Sequence, residues 1–491
     1  MVSAENLNLD VLELIFAHLS GHDLTSVSLV SRTFFAGAIP TLYRNITYRL
    51  KEAKAHDTVM SPFAVLLQHK SLANHVRTID LQAVPKTNNL KIRIQPHSTF
   101  MRDCRKAIEL CTSLHTFRCT EPNVVPAFLM SLQNKPNLQS VRVNSNFTAE
   151  QAKLLTNLGN LNDVFLELAS WNMVDALPRW TMGLQKALTS LVLYRTEELN
   201  ETALELTLKE LPELKGLHIV QCTRMDHVTI LNLLAHTPNL EALSMTTFEK
   251  SRPIPTPLPP LPSLQHLAID ARYHMSPSPT PAILASLLEQ LKLSAPTLSS
   301  FSIKLPERKI TVQHGFIEKL VDAYGYYLRK LAFLDCVLEL KSIEKIAQDC
   351  EDLERLDVSI PIRESYAFAT AISAAQNLTT LVDIESHAQH GINPSLNLEQ
   401  VEYFIETVPS LRKVVSGRRI WIPGNVDDGD YSVKLDRRLP YRSRPSWFLP
   451  SSKYPSPVPR AESPRTRTKE GDIGSMPQKS RTQKSKTYVR R

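Results

Sequence analysis

One short motif recurs along most of this chain and restricts the fold more than any other feature. It consists of an apolar residue, two others, an apolar residue, one other and an apolar residue, as in TSLHTFRC and PNLEALSM. The first apolar residues of the regular copies are Leu114, Leu138, Leu161, Leu188, Leu214, Leu240 and Leu264, with steps of 24, 23, 27, 26, 26 and 24 residues. Further copies stand at Leu298, Leu328 and Leu353, and degenerate ones at Val76, Leu378 and Leu411. Such spacing indicates one structural unit stacked many times.

Each unit is predicted to contain a strand followed by a helix. The motif alternates apolar and other residues, as a half-buried strand does, whereas intervening stretches such as LKSIEKIAQDCEDL carry helical spacing. The steps lie in the leucine-rich-repeat range of roughly 20–29 residues. We therefore predict an α/β fold for residues 76–421, a leucine-rich-repeat solenoid with a horseshoe of parallel strands and outer helices. Pro-rich insertions at 251–262 and 272–281 break the period and are predicted to run over its surface.

Residues 1–48 have a different pattern, which predicts a module of three short helices. The first carries apolar residues from Val11 to Leu19 and ends at Gly21, the second runs from Leu24 until Pro40 ends that segment, and a short third includes Ile46. A connecting helical segment is predicted at 49–75. So small a module has little core of its own, so its apolar face either caps the solenoid or binds a partner.

The run LNLDVLELIFAHL, followed by DL and VSRTF, resembles the F-box. The resemblance implies docking on the Skp-type adaptor of a ubiquitin ligase built on a cullin scaffold. It also implies an adaptor-facing apolar surface made by Leu7, Val11, Leu12, Ile15, Phe16, Leu19, Leu24 and Val30. The chain departs from the family at Asn8, where a proline is usual; Asn can still begin the helix, but a contact made by that proline is lost.

The residues between the motif apolars are predicted to line the concave face of the sheet, because alternate strand residues point to opposite sides. Candidate substrate-binding residues on this face are Arg118, Arg142, Phe165, Tyr194 and His218. Two interpretations of the aromatic pair stay open: an anchor for a protein partner, or simple strand propensity beneath an insertion folded over it. The two arginines lie at equivalent positions of adjacent repeats, and we hypothesise that they bind an acidic or phosphorylated segment.

The sequence gives no sign of chemistry carried out by this chain. It has only 13 glycines and neither a dinucleotide-binding nor a Walker-type motif, and no triad or Cys-His signature stands out. Its six cysteines include no C-x-x-C pair, and the histidines of HAQH at His387 and His390 have no partnering ligand pattern. We therefore expect a protein that is not an enzyme and uses neither a cofactor nor a metal ion.

The basic charge of the chain is concentrated at its C-terminal end. Residues 441–491 carry 13 Lys and Arg against 3 acids, a net +10 of the total +8, which leaves residues 1–440 at −2. Residues 422–491 are predicted to be a basic, Pro/Ser-rich disordered tail. RNA binding through this tail is an alternative, although the few aromatic residues of the tail argue against base stacking. No leader or membrane-spanning run is apparent, so we expect no membrane association and a location in the cytoplasm, the nucleus or both.

These features together predict a substrate-recognition subunit of an SCF-type ubiquitin ligase, with an adaptor on the F-box and an unknown target protein on the repeats. The alternative is a leucine-rich-repeat interaction scaffold unrelated to ubiquitination, whose N-terminal helices only cap the solenoid.

Overall fold

The structure is a computed structural model of the 491-residue chain. It describes residues 8–19, 21–56, 58–87, 95–248, 254, 256–272, 282–305, 310–384, 395–417, 419–424, 433–438 and 447–450.

Strands follow one another at the spacing of the repeat. In chain order they are β1 (Asn45–Tyr48), β2 (Thr78–Leu81), β3 (Lys86–Thr87), β4 (Gln95–Pro96), β5 (Thr116–Cys119), β6 (Ser140–Asn144), β7 (Asp163–Glu167), β8 (Ser190–Tyr194), β9 (Gly216–Val220), β10 (Ala242–Phe248), β11 (His266–Arg272), β12 (Ser300–Lys304), β13 (Lys330–Leu334), β14 (Arg355–Val358), β15 (Thr380–Asp383), β16 (Lys413–Ser416), β17 (Arg419–Pro423) and β18 (Val433–Arg438). Within the described ranges, β3 and β4 pair separately, and the others form one 16-stranded sheet in sequence order.

The register of this sheet explains the motif. The second apolar residue of each copy pairs with its counterpart in the next strand, so that Leu191, Leu217, Leu243 and Leu267 stand side by side. Within the large sheet, the strands from β1 to β16 run parallel. The predicted α/β solenoid of parallel strands is therefore confirmed.

Helices return the chain from the end of one strand to the start of the next. They are α1 (Leu9–Phe16), α2 (Gly21–Ser28), α3 (Arg32–Leu42), α4 (Leu50–Lys54), α5 (Pro62–Gln68), α6 (Ser98–Leu110), α7 (Ala149–Thr156), α8 (Trp171–Leu184), α9 (Glu201–Lys209), α10 (His227–Leu233), α11 (Ala282–Ser294), α12 (His314–Tyr324), α13 (Leu340–Asp349), α14 (Ser365–Ile372) and α15 (Leu398–Thr407). Single 3-10 turns occur at Lys70–His75, Val125–Phe128, Leu234–His236, Gly325–Tyr327 and Ile362–Glu364.

One continuous apolar core lies between the sheet and these helices. It joins the motif residues of the strands to one face of the solenoid's helices, such as Ile343 and Ile346 of α13. Side chains at several helix starts, including Thr148, Asn200 and Asn397, accept hydrogen bonds from main-chain N–H groups of the first turn. All six cysteines are buried thiols outside any disulfide, and four of them stand in or directly after these helices and strands.

The N-terminal helices differ in their bounds from the prediction. The third helix begins at Arg32, because the hydroxyl of Ser31 accepts a hydrogen bond from the N–H of Phe34 at 3.2 Å. Pro40 was expected to end a helix, but it lies within the last turns of α3. Ile46 was expected on a helix, but it is on β1, the first strand of the large sheet. The predicted connecting segment contains α4, α5 and a 3-10 turn.

The first Pro-rich insertion is not a surface loop in its described part. Leu258 and Leu261 join the main core, and the N–H of Leu261 donates to the carbonyl of Ser294 at the end of α11. The prediction was wrong there because leucines between the prolines fill the outer layer where other repeats place a helix. In the second insertion, Arg272 ends β11, and residues 273–281 lie outside the described residues.

The sheet continues past the predicted end of the solenoid at residue 421. β17 extends to Pro423, and β18 pairs with it in antiparallel fashion. Part of the predicted tail at 422–491 is therefore a strand that adds to the last repeat. Residues 447–450 are also described, and Phe448 and Leu449 are buried. The rest of this range lies outside the described residues.

Candidate functional site

The concave face of the sheet is formed by three rows of side chains, one residue from each strand. The middle row runs through Arg118, Arg142, Phe165, Val192, His218 and Ser244. The row on one side contains Gly216 and His266, and that on the other contains Tyr194 and Val220. The alternation of the strands placed these residues on the concave face, as the sequence predicts.

A segment from the C-terminal part of the chain, Trp447–Pro450, packs against the middle of this face; we call it the docked segment. Phe448 is fully buried, and Leu449 is nearly so. Together they form an apolar cluster separate from the main core, with Phe165, Val192, Tyr194, Val220 and Ala268. The segment therefore spans the five strands from β7 to β11.

Aromatic contacts surround the side chain of Phe448. Its ring stacks on that of Tyr194, with the centroids 5.8 Å apart and the planes at 18°. The rings of Phe165 and His218 lie 6.3 and 6.2 Å away, and Trp447 meets it edge-on at 5.7 Å. Burial of a phenylalanine side chain stabilises by about 1.5–3 kcal/mol, and each favourable ring pair adds roughly 0.5–1.5 kcal/mol.

Two side chains bind the main-chain carbonyl of Phe448. The hydroxyl of Ser244 donates to it at 2.6 Å, and Nε2 of His266 lies at 2.9 Å. Because a carbonyl only accepts, His266 carries its proton on Nε2, and its Nδ1 accepts from the hydroxyl of Ser300 at 2.9 Å. The single proton of Ser244 is directed to Phe448, so Nδ1 of His218 donates to Ser244 Oγ at 2.7 Å.

Burial changes the acid–base properties of this face. It lowers the pKa of His266 from its ordinary 6.5 to about 4; the hydrogen bond to Phe448 opposes this shift, and the charge of Lys330 adds to it. Burial also raises the pKa of Tyr194 and that of Asp270. Arg272, which pairs with Asp270 at 3.0 Å, opposes the rise for Asp270 without cancelling it. The donors to the Phe448 carbonyl are therefore neutral at physiological pH.

The five predicted substrate-binding residues do lie on one face, but not as an open surface. Phe165, Tyr194 and His218 are buried beneath the docked segment. The guanidinium of Arg142 is also buried and lies 4.0 Å from the ring centre of Phe165, as a cation–π pair. What covers the patch is thus neither of the two insertions but the docked segment, which lies well over two hundred residues further along the chain.

The arginine pair lies at the edge of this cluster. Arg118 stands beside Arg142 on the adjacent strand, and Asp80 stands beside Arg118 on its other side. A cavity of about 50 Å³ there is lined by both arginines, Asp163 and Leu449, among others. The register places the acidic Asp80 directly beside Arg118. That the pair binds an acidic or phosphorylated segment stays a prediction.

The groove continues on the other side of the docked segment. A cavity of about 600 Å³ begins at Pro450 and extends across the later strands. Most of its lining residues are polar or charged types, among them Lys215, Glu241, Lys330 and Arg355. The concave face therefore has a small apolar centre and a long polar extension.

The N-terminal helices form a module with its own core. Leu12, Phe16, Leu24 and Ala38 are buried together, and this cluster is separate from that of the solenoid. Gly37 of α3 lies so close to α1 that a Cβ there would stand 3.0 Å from the Cβ of Leu12. The core of the module is therefore separate from that of the solenoid, while α3 also contacts the 3-10 segment Lys70–His75.

The predicted adaptor-facing residues divide into two sets. Leu12, Phe16 and Leu24 are buried in the module and hold its helices together, and Leu19 is half-buried against the same core. Val11, Ile15 and Val30 are 41%, 47% and 65% exposed, and Leu7 lies outside the described residues. Other large apolar side chains exposed on these helices are Leu9, Leu14, Leu29 and Phe35. Sequence reasoning did not separate the two sets, because both follow helical spacing.

Neither a metal centre nor a membrane span is found in the described part of the chain. No group of three or more His, Cys, Asp or Glu side chains there is placed to hold a metal ion. None of its helices is long and apolar enough to cross a bilayer. His387 and His390 lie outside the described residues.

Comparison with known proteins identifies the N-terminal module. The family model described as F-box domain matches residues 5–36. No curated protein matches the sequence. The chain is an F-box domain followed by an α/β solenoid of parallel strands.

Solved structures give weaker similarities. A crystal structure of the Rad7 and Elc1 complex in yeast is 12% identical and has a TM-score of 0.41, over 83% of this chain and 87% of that chain. A crystal structure of a TLR13-ssRNA13 complex is 14% identical with a TM-score of 0.29, over 69% of this chain and 46% of that chain. Neither similarity is close enough to carry an argument about function.

Proposed function

We propose that this protein is the substrate-recognition subunit of an SCF-type ubiquitin ligase, with leucine-rich repeats as its substrate-holding part. The observation that carries the proposal is an F-box domain whose helices leave Val11, Ile15 and Val30 exposed while its core is complete without them. Several large apolar side chains left exposed on one small domain suggest a protein-binding site. A Skp-type adaptor, held in turn by a cullin, is the partner that an F-box suggests.

The role needs no reaction on this chain. An F-box bound to the ligase and a solenoid bound to a target hold the target near the ubiquitin-transfer machinery, which raises its effective concentration there. We propose the cytoplasm, the nucleus or both as the place of action. The scaffold alternative predicts the same solenoid binding without any adaptor.

Capture of a purified Skp-type adaptor by the full-length chain tests the proposal. Ile15→Asp and Val30→Asp each place a carboxylate in the expected dry interface, which costs several kcal/mol, so we expect at least a tenfold weaker capture. Leu293→Asp is the matched control, since Leu293 is also an exposed apolar side chain, at 85%, and lies on helix α11 of the solenoid. If the unmodified chain captures no adaptor, the ligase role is wrong and the scaffold alternative remains.

A further inference from the structure

We propose that the concave face between Phe165 and His266 recognises a short linear segment of a partner protein, and that the docked segment occupies this site as an internal pseudoligand. The partner segment has an aromatic residue, then a branched aliphatic residue, then proline. This inference deepens the proposed function, because it names the face and the kind of segment by which a target would be held.

The contacts at Phe448 are those of a peptide-binding site. Its side chain enters an aromatic pocket formed with Tyr194, Phe165 and His218, which selects an aromatic residue. Ser244 and His266 donate hydrogen bonds to its main-chain carbonyl. The main chain of any peptide offers such a carbonyl. The pocket selects the side chain and the two donors bind the main chain. Together they form a site that binds a short segment rather than a folded surface.

The sequence around the docked segment supports an exchangeable occupant. Trp447, Phe448 and Leu449 are a compact apolar group in a stretch rich in Arg, Ser and Pro, and residues 439–446 separate them from β18. Among the described residues, this stretch docks through a few buried side chains, and these set the scale of its docking free energy. A partner segment of similar chemistry forms the same contacts and displaces the internal occupant where its concentration or additional contacts outweigh the tether.

The groove also offers a partner more than the docked segment uses. Beyond Pro450 the cavity of about 600 Å³ presents Lys215, Gln265 and Lys330 along its walls. A segment that continues past its proline gains polar contacts there. The docked segment is tethered to the chain, which gives it an effective concentration on the order of millimolar. The additional polar contacts of a partner segment offset this advantage.

The test uses a fluorescent peptide of residues 445–451, PSWFLPS, added to the full-length chain and to its Phe448→Ala variant. The variant weakens the internal occupant, so we expect the peptide to bind it at least tenfold more tightly than it binds the unmodified chain. The same peptide with alanine in place of the phenylalanine is expected not to bind either. Leu293→Ala, remote from the groove on α11, is expected to behave as the unmodified chain.

Equal binding of both peptides, or equal binding to the folded variant and the unmodified chain, overturns the proposal. If Phe448→Ala does not fold, hydrogen exchange of the unmodified chain decides the matter. Millimolar peptide must then speed exchange at residues 447–449, and unchanged exchange overturns the proposal. Adaptor capture is measured on the same proteins, so failure of peptide binding with capture intact refutes only this inference, and the reverse refutes only the ligase role.

Discussion

The hydroxyl of Ser244 lies 2.6 Å from the main-chain oxygen of Phe448, although 204 positions separate the two residues. Ser244 also accepts from His218, so it joins the concave face to the docked segment. Removing this hydrogen bond is the most direct test of whether the docked segment binds the concave face in solution.

Ser244→Ala is expected to loosen the docked segment. The change removes one donor to Phe448 and leaves the buried N–H of His218 without this acceptor, at a cost of about 1–3 kcal/mol. Hydrogen exchange at residues 447–449 should become roughly fivefold faster or more, since 1.4 kcal/mol corresponds to a factor of ten. Ser373→Ala, which removes only an exposed hydrogen bond to Thr370, serves as the control. Unchanged exchange in Ser244→Ala contradicts the hydrogen bond.

The stability of the chain should depend on pH through His266. Its pKa is lower in the folded chain, at about 4, than the ordinary 6.5, so below pH 6.5 the unfolded chain binds a proton that the folded one does not. The stabilising contribution is therefore fully present above about pH 6.5 and is lost as the pH falls toward 4. Between pH 7.5 and 5.5 we expect a loss of about 1 kcal/mol from this group.

His266→Gln keeps a side-chain N–H donor but does not titrate. Denaturant unfolding at the two pH values should show a smaller loss for this variant than for the unmodified chain. The same pH dependence in both proteins would mean that His266 is not buried in its neutral form.

Two glycines of the F-box domain should respond in opposite ways to alanine. Gly37→Ala places a methyl group 3.0 Å from the Cβ of Leu12 and 3.1 Å from Cε2 of Phe16, so we expect destabilisation by about 1–3 kcal/mol. Gly21→Ala meets nothing within 4 Å, and alanine favours helix, so we expect no loss or a small gain. Thermal unfolding of both variants measures the difference; equal effects would contradict the close packing of α3 on α1.

The buried cysteines should be unreactive in the folded chain. Burial raises the pKa of Cys111, Cys222, Cys336 and Cys350 to about 12, and that of Cys104 in the same direction. The thiolate is the reactive form, so a thiol reagent at pH 8 should label none of these five rapidly, and all of them after denaturation. Rapid labelling of the native protein at any of them would place that thiol at the surface.

The solenoid was predictable because its information is local and repeated. Each copy of the motif fixes its own strand, and the register of Leu191, Leu217 and Leu243 follows from stacking equal units. Helix bounds in the F-box domain were less predictable. The cap at Ser31 sets the start of α3, and Pro40 is accommodated within it, although the sequence rule for proline predicts an end.

The sequence predicts which residues line the concave face, but it does not predict that the docked segment covers them. Alternation along each strand brings Phe165, Tyr194 and His218 to one surface. What covers that surface depends on contacts between positions about two hundred apart. The periodic pattern of the repeats does not predict such contacts. The available signal was composition: Trp447, Phe448 and Leu449 are consecutive large apolar residues in a polar, basic stretch.

A stacked-repeat protein normally unfolds from an end, because each unit touches only its neighbours. The contact of Phe448 with the middle strands adds a long-range tie between the chain's last strands and its centre. Fraying of β17 and β18 would lengthen that tether and reduce the local concentration of its aromatic anchor. The groove would then open before the central repeats lose their structure. Fraying of the last strands would thus expose the concave face in the middle of the solenoid.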